Sequence, residues 1–204
     1  MTFADASIES FHAELASDAP TPGGGAAAAI TGASAAAAVE LVCRVTLSDA
    51  DFSDVHDEMG EVAADLVALR DELHDLADAD AAAFDAVMDA FRRSSDDPDR
   101  SAAIQSAMTT AAEVPLETAE RCLEVIRHAV FAASEGNQNA VTDAGTGALL
   151  AHASLRAALY NVDINLASID DASTVTEFGD RRDRLAAEAD DLLEAVDAAV
   201  EDAI

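Results

Sequence analysis

Two places in this chain put polar side chains where packing or a simple turn does not need them. From residue 59 onward, Met59, Val62, Leu66, Leu69, Leu73 and Leu76 alternate steps of three and four, and the next step of four lands on Asp80. The apolar row then resumes at Ala83, Val87 and Phe91. A carboxylate in such a slot must find a partner or take up a proton, because an unpaired buried charge is costly. An acid so placed marks a candidate site. The alternative is a partly wet seam with Asp80 reaching solvent, in a chain where acidic residues are common.

The second place is "GNQNAVTDAG", residues 136–145, where Asn137, Asn139, Thr142 and Asp143 fall together between two apolar segments. One polar residue suffices for a helix cap, and Thr142 or Asp143 can serve. A larger cluster at a helix start, where N–H groups point outward, suits a bound ligand. Further on, Asn161 and Asn165 in "YNVDINL" lie four apart on one helical face. Amides at that spacing can hold a heteroaromatic ligand or tie helices together, and the sequence leaves both readings open.

The elements that must position these residues read as helices throughout. Strand-type alternation does not extend beyond a few residues, and apolar residues recur with helical spacing. A first helix starts near Asp5 or Ser7 and buries Ile8, Phe11 and Leu15; a second runs from about Gly25 to Leu47; a third from Ser53 to about Arg93. "RRSSDDPDR" forms a solvated loop broken by Pro98, and a fourth helix spans Asp99 to Glu135, kinked at Pro115. A fifth carries Leu149 to Leu166 and a last one starts near Thr174. The expected architecture is all-α, a single domain over residues 1–204 built as a bundle of about six helices with long antiparallel members.

Composition narrows the function classes. The formal net charge is -30, from 41 acidic and 11 basic residues, and all the basic residues are arginine. Nucleic acid would meet a surface of its own sign and is not an expected partner. Such charge self-repels in dilute solution and is tolerated where salt screens it, so the expected setting is a salt-rich cytoplasm. The start, "MTFADASIES", lacks a basic region followed by an apolar run, so no secretory signal is expected. The uncharged run from Ala19 to Val39 is mostly Ala, Gly, Ser and Thr, too weakly apolar to predict a membrane span. Cys43 and Cys122 lie in helical patterns without metal-type spacing and read as buried thiols, and the five histidines show no zinc spacing.

That same run contains "PTPGGG", residues 20–25. It lacks the Lys and Ser/Thr of a phosphate-binding Walker loop and fits a dinucleotide fingerprint only loosely. Gly23, Gly24 and Gly25 let another backbone, or a ligand, come close to a helix start, whereas the alanines behind them permit close helix packing.

Taken in order, "LASDAPTPGGGAAAAITGASAAAAVELVCRVT", "DADAAAFDAVMDAFR", "AAEVPLETAE", "GNQNAVTDAG" and "ALYNVDINL" resemble the cyclodeaminase/cyclohydrolase family over nearly the whole chain. That family includes the cyclodeaminase half of formiminotransferase-cyclodeaminase and stand-alone methenyltetrahydrofolate cyclohydrolases. The resemblance implies a homodimeric helical bundle with a tetrahydrofolate derivative as substrate and no metal or redox cofactor. It implies either opening of 5,10-methenyltetrahydrofolate to the 10-formyl compound or closure of the 5-formimino compound with loss of ammonia. Matched motif to motif, Asp143 and Asp80 become the candidate acids, with Asp143 first for proton transfer and Asp80 orienting or stabilising the cation, or the reverse. Thr21, Pro22, Gly23, Gly24, Gly25, Asn137, Asn139, Asn161 and Asn165 become candidate substrate contacts. Basic residues common in the family after the second helix are replaced here by "LSDADF", which puts the preference for polyglutamate tails in question. With no formiminotransferase half in the sequence, the cyclohydrolase is the favoured activity; a non-catalytic bundle that kept the scaffold is the competing class.

Overall fold

A computed structural model describes residues 2–204. Six α-helices follow one another: α1 (Ile8–Leu15), α2 (Gly24–Leu47), α3 (His56–Arg92), α4 (Arg100–Glu135), α5 (Val141–Leu166) and α6 (Ala172–Ala203). Short 3-10 turns precede α1 (Phe3–Asp5), α3 (Ala50–Phe52) and α5 (Gln138–Ala140). No strand occurs among the described residues. The helix starts use local chemistry. Ser7 caps α1 by accepting the Ser10 N–H, and Asp171 caps α6 by accepting N–H groups of Ser173 and Thr174. Hydroxyls of the same two residues also bond Asp171, and these contacts hold its carboxyl down at about 2.

Helix α2 is the centre, packed on α3, α4 and α5. Its small residues make that possible. Ala26, Ala29, Ala35 and Ala36 are fully buried, and a Cβ on Gly32 would lie 2.7 Å from Cys122 Sγ of α4. From the other side, a Cβ on Gly147 of α5 would meet Val39 Cγ2 at 2.5 Å and Ala35 O at 3.0 Å. Helix axes that approach this closely leave no room for larger side chains. Long enough and apolar enough to cross a membrane by composition, α2 has 61% of its most apolar window buried within the bundle. It serves here as the core helix.

Heavier side chains fill the space between helices: Met59, Leu66 and Leu73 from α3, Leu116 and Ile126 from α4, and Leu155 and Val162 from α5. Cys43 and Cys122 are free, buried thiols, pushed up to about 11 and about 12 chiefly by burial. Glu40, 4% exposed, is held between Arg44 on its own helix and Arg70 on α3.

Some expectations shift. Ile8 is 76% exposed rather than buried, because α1 docks through Phe11, whose ring meets Phe3 edge-on at 5.7 Å. Phe91, expected to continue the α3 seam inward, is 48% exposed. Pro115 lies inside α4, where the sequence places it.

Candidate active site

Gly23 begins α2 without a side chain that can cap it. The cap comes instead from α3: Asp80 Oδ2 accepts the Ala26 N–H at 3.0 Å. This is the partner that the interrupted seam demands. The carboxylate sits so close that a Cβ on Gly25 would collide with it, and any larger residue there would displace Asp80. Burial raises the Asp80 pKa, and the Ala26 N–H opposes that rise without cancelling it. The N–H groups of Gly24 and Gly25 have no backbone or side-chain acceptor among the described residues. A carboxylate that holds its proton more tightly than usual thus lies beside open donors at a helix start.

Around it is a cleft of ≈ 370 Å³. Pro20, Thr21 and Gly23–Gly25 form one edge, and Asn161, Ile164 and Asn165 of α5 another. The wall is apolar: Ala83, Phe84 and Val87 from α3, Met108 and Ala111 from α4. Pro22 is buried behind the edge, joined to Thr21 by a cis peptide.

Pro115 explains one of the asparagines. A proline lacks the N–H that would bond the carbonyl four residues earlier, here Ala111. Asn165 supplies the missing donor, its Nδ2 bonding Ala111 O at 2.6 Å. That fixes the α5 side of the cleft to α4 and leaves the Asn165 side-chain oxygen without a protein partner among the described residues. Asn161 Nδ2 bonds Ala157 O at 2.9 Å and lies within 3.9 Å of the Cβ position of Gly24. Asn165 thus ties α5 to α4, Asn161 bonds within its own helix, and both line the cavity.

Asn137, Asn139 and Asp143 lie elsewhere. They sit at the other end of α2, roughly 33 Å from Gly24 at 1.5 Å per helical residue. There Asn137 donates its N–H to Thr46 Oγ1 at 2.9 Å and its Nδ2 to Asp49 Oδ2 at 3.1 Å, and accepts the Asn139 N–H at 2.9 Å. Asp143, half-buried, occupies the first turn of α5. One protomer therefore brings Asp80, the glycines, Asn161 and Asn165 together, and leaves the Asn137–Asp143 group apart.

Sequence reasoning missed the apolar wall. Ala83, Phe84 and Val87 carry the same helical spacing as core residues, and only their place around the cleft, with Phe84 38% exposed, reveals a cavity lining. Two of the larger hollows carry less chemistry. One, ≈ 480 Å³ between α4 and α6, is lined by ion-paired residues such as Arg127 and Glu188; the other, ≈ 490 Å³ beneath the N-terminal segment, includes Phe11, His12 and His74.

The methenyltetrahydrofolate cyclohydrolase of Methylorubrum extorquens is 41% identical over 193 residues, 93% of each chain. The formimidoyltransferase-cyclodeaminase of Rattus norvegicus is 30% identical over 82% of this chain, which spans 32% of that longer protein. The crystal structure of formiminotetrahydrofolate cyclodeaminase from Thermotoga maritima superimposes with a TM-score of 0.91 at 29% identity, covering 97% of both chains. A family model for formiminotransferase-cyclodeaminase matches residues 7–184, and the chain belongs to that family.

Proposed function

We propose that this protein is a methenyltetrahydrofolate cyclohydrolase, adding water to 5,10-methenyltetrahydrofolate to give 10-formyltetrahydrofolate in the Asp80 cleft. The observation that carries this reading is a carboxylate with a raised pKa against the open N–H groups of Gly24 and Gly25, at the bottom of a cleft with apolar walls. Similarity to the bacterial cyclohydrolase along nearly its full length favours water over formimino chemistry.

The substrate is a cation, its charge shared between N5 and N10 through the bridging carbon. Asp80 in its ionised form stabilises that charge and accepts a proton as a water oxygen bonds to the carbon. The product of this step is a neutral tetrahedral carbon bearing a hydroxyl. Asp80 then returns its proton to N5 as the C–N5 bond breaks, and the hydroxyl loses its own proton to solvent as the formyl group forms on N10. One water is consumed and one proton released overall. A raised pKa suits both halves of this exchange, because the group must take a proton and give it back. The partner-free oxygen of Asn165 and the N–H groups of Gly24 and Gly25 are placed to hold the pterin ring.

We assign proton transfer to Asp80 and place Asp143 in the reaction only across a homodimer. Helix α2 turns Ser34, Ala37 and Leu41 outward, and the one acid beside them on this helix, Glu40, is buried and paired with Arg44 and Arg70, on a chain of net charge -30. Two copies can approach there with little repulsion. Loss of the methenyl near-ultraviolet absorbance, measured against the spontaneous rate, tests the activity. Turnover that Asp80→Asn abolishes is expected; no acceleration by the folded wild type would reject the reading.

A further inference from the structure

The apolar wall of the cleft continues past its lining. On α3, Asp80, Phe84, Val87 and Phe91 share one face, and on α4, Ala111, Met108, Ile104 and Arg100 share another. Both rows span eleven residue steps, roughly 16 Å at the helical rise. They run in opposite chain directions, so Asp80 and Ala111 stand at one end and Phe91 and Arg100 at the other.

Arg100 is unusual in this chain. Nine of the 11 arginines have a carboxylate within ion-pair distance, including its neighbours Arg92, on Asp89, and Arg93, on Asp97. Among the described residues only Arg100 and Arg184 have none, despite 41 acidic side chains. The Arg100 guanidinium is nevertheless fixed: Nε donates to Arg93 O at 3.2 Å, Nη2 donates to Phe91 O at 3.1 Å, and the group lies 6.0 Å from the Phe91 ring centroid. Two of its five N–H donors are used, and the others remain for a planar anion.

We propose that Arg100 binds a carboxylate at the far end of the substrate, with a flat aromatic spacer lying along Phe84, Val87 and Phe91. In a folate this is the benzoylglutamate end, so the inference rests on the folate reading and adds the residue that selects for the tail. It also gives a site for that tail in a chain that has no basic residue in "LSDADF" after α2. Of the acids in this stretch, Asp89 and Asp97 are already paired with Arg92 and Arg93, while Asp96 and Asp99 hold no ion pair among the described residues.

The two backbone bonds also close the C-terminal end of α3, and a purely structural Arg100 would act through them alone. The test separates these roles by substrate. Kinetics are measured with 5,10-methenyltetrahydrofolate and with its N10-phenyl analogue, which keeps the bridging carbon and the ring but lacks the amide and glutamate. Arg100→Gln is expected to raise KM for the full substrate roughly three- to tenfold with kcat unchanged, and to leave the analogue's KM unaltered. Arg100→Lys should recover part of the loss, and Arg127→Gln, remote on α4, should match the wild type. An equal rise for both substrates, or no rise for either, would overturn the proposal. Calorimetric binding of N-(4-aminobenzoyl)glutamate to the wild type, weakened in Arg100→Lys, gives a readout independent of turnover and of the Gln variant's folding. Absence of that binding also overturns the proposal, whereas binding without turnover would count against the cyclohydrolase reading and leave the anion site standing.

Discussion

The two ends of α2 carry the same kinds of residue and do opposite things with them. At its N-terminal end, Asp80, Asn161 and Asn165 leave polar atoms facing a cavity. At its C-terminal end, Asn137 spends its polar groups on Thr46, Asp49 and the Asn139 N–H, and a Cβ on Gly136 would collide with Ala132 O. Composition does not separate a binding site from a structural knot. What separates them is whether the donors and acceptors are consumed within the chain.

The largest effect expected at the cleft end is loss of chemistry with a gain in stability. Asp80→Asn should lower turnover by about 10²–10⁴, the range of acid–base contributions, because the amide cannot carry the proton. The Asn oxygen still accepts the Ala26 N–H, so the α2 cap survives while the burial of charge does not. The Asp80 pKa is raised on folding, so the stability it contributes is complete below the ordinary carboxylate pKa and is lost as pH rises through the raised value. The variant should therefore melt about 2–4 °C above the wild type at neutral pH, the shift that roughly 1 kcal/mol produces in a chain of this size. That gap should close as pH falls towards the ordinary carboxylate pKa; a lower melting temperature at neutral pH would contradict this account of Asp80.

The next test joins the two ends. Asp143 and Asn161 are roughly 27 Å apart along α5, so Asp143 can serve a cleft only on a second copy. Mixed dimers of Asp80→Asn and Asp143→Asn subunits then contain one site with both changes and one with neither, and about half of the wild-type activity per dimer should return. If Asp143 acts within its own protomer, both sites carry one change and mixing restores nothing.

At the knot, the expected sign of the stability change reverses. Thr46 is fully buried, accepts the Asn137 N–H and donates to Val42 O. Thr46→Val keeps the shape and strands the buried N–H, which should cost about 1–3 kcal/mol in a denaturant titration. A neutral result would show that the cluster is not the tie that its bonds describe.

How much of this was legible in the sequence follows from the range of each interaction. The helices were, because apolar spacing and breakers such as Pro98 are local signals. Asp80 stood out because it broke a row, yet its partner lies 54 residues away in sequence at Ala26 and no spacing announces it. The reverse occurred at Asn137, whose neighbours looked like a ligand cluster while Thr46, 91 residues away, had already taken its N–H. Ala83, Phe84 and Val87 had the periodicity of a core because a cleft wall and a core present the same face of a helix.

The smallest effect concerns how the cleft is held open. Pro115 and Asn165 were separate features of the sequence, a kink and an amide; the structure makes them one device, since the carbonyl that the proline abandons is the one that the asparagine takes. Asn165→Ala should cost about 1–3 kcal/mol in the wild type by leaving Ala111 O without a donor. In a Pro115→Ala background α4 regains its own N–H, and the same change should cost less by about 0.5–3 kcal/mol, the usual range for coupled pairs. The function should register it too. With Ala111 O satisfied inside α4, the Asn165 amide is released from its fixed orientation, and KM for the methenyl substrate should rise in Pro115→Ala although the helix itself is improved. Additive changes in stability, together with an unaltered KM, would mean that the proline and the asparagine share a wall of the cleft without sharing a role in shaping it.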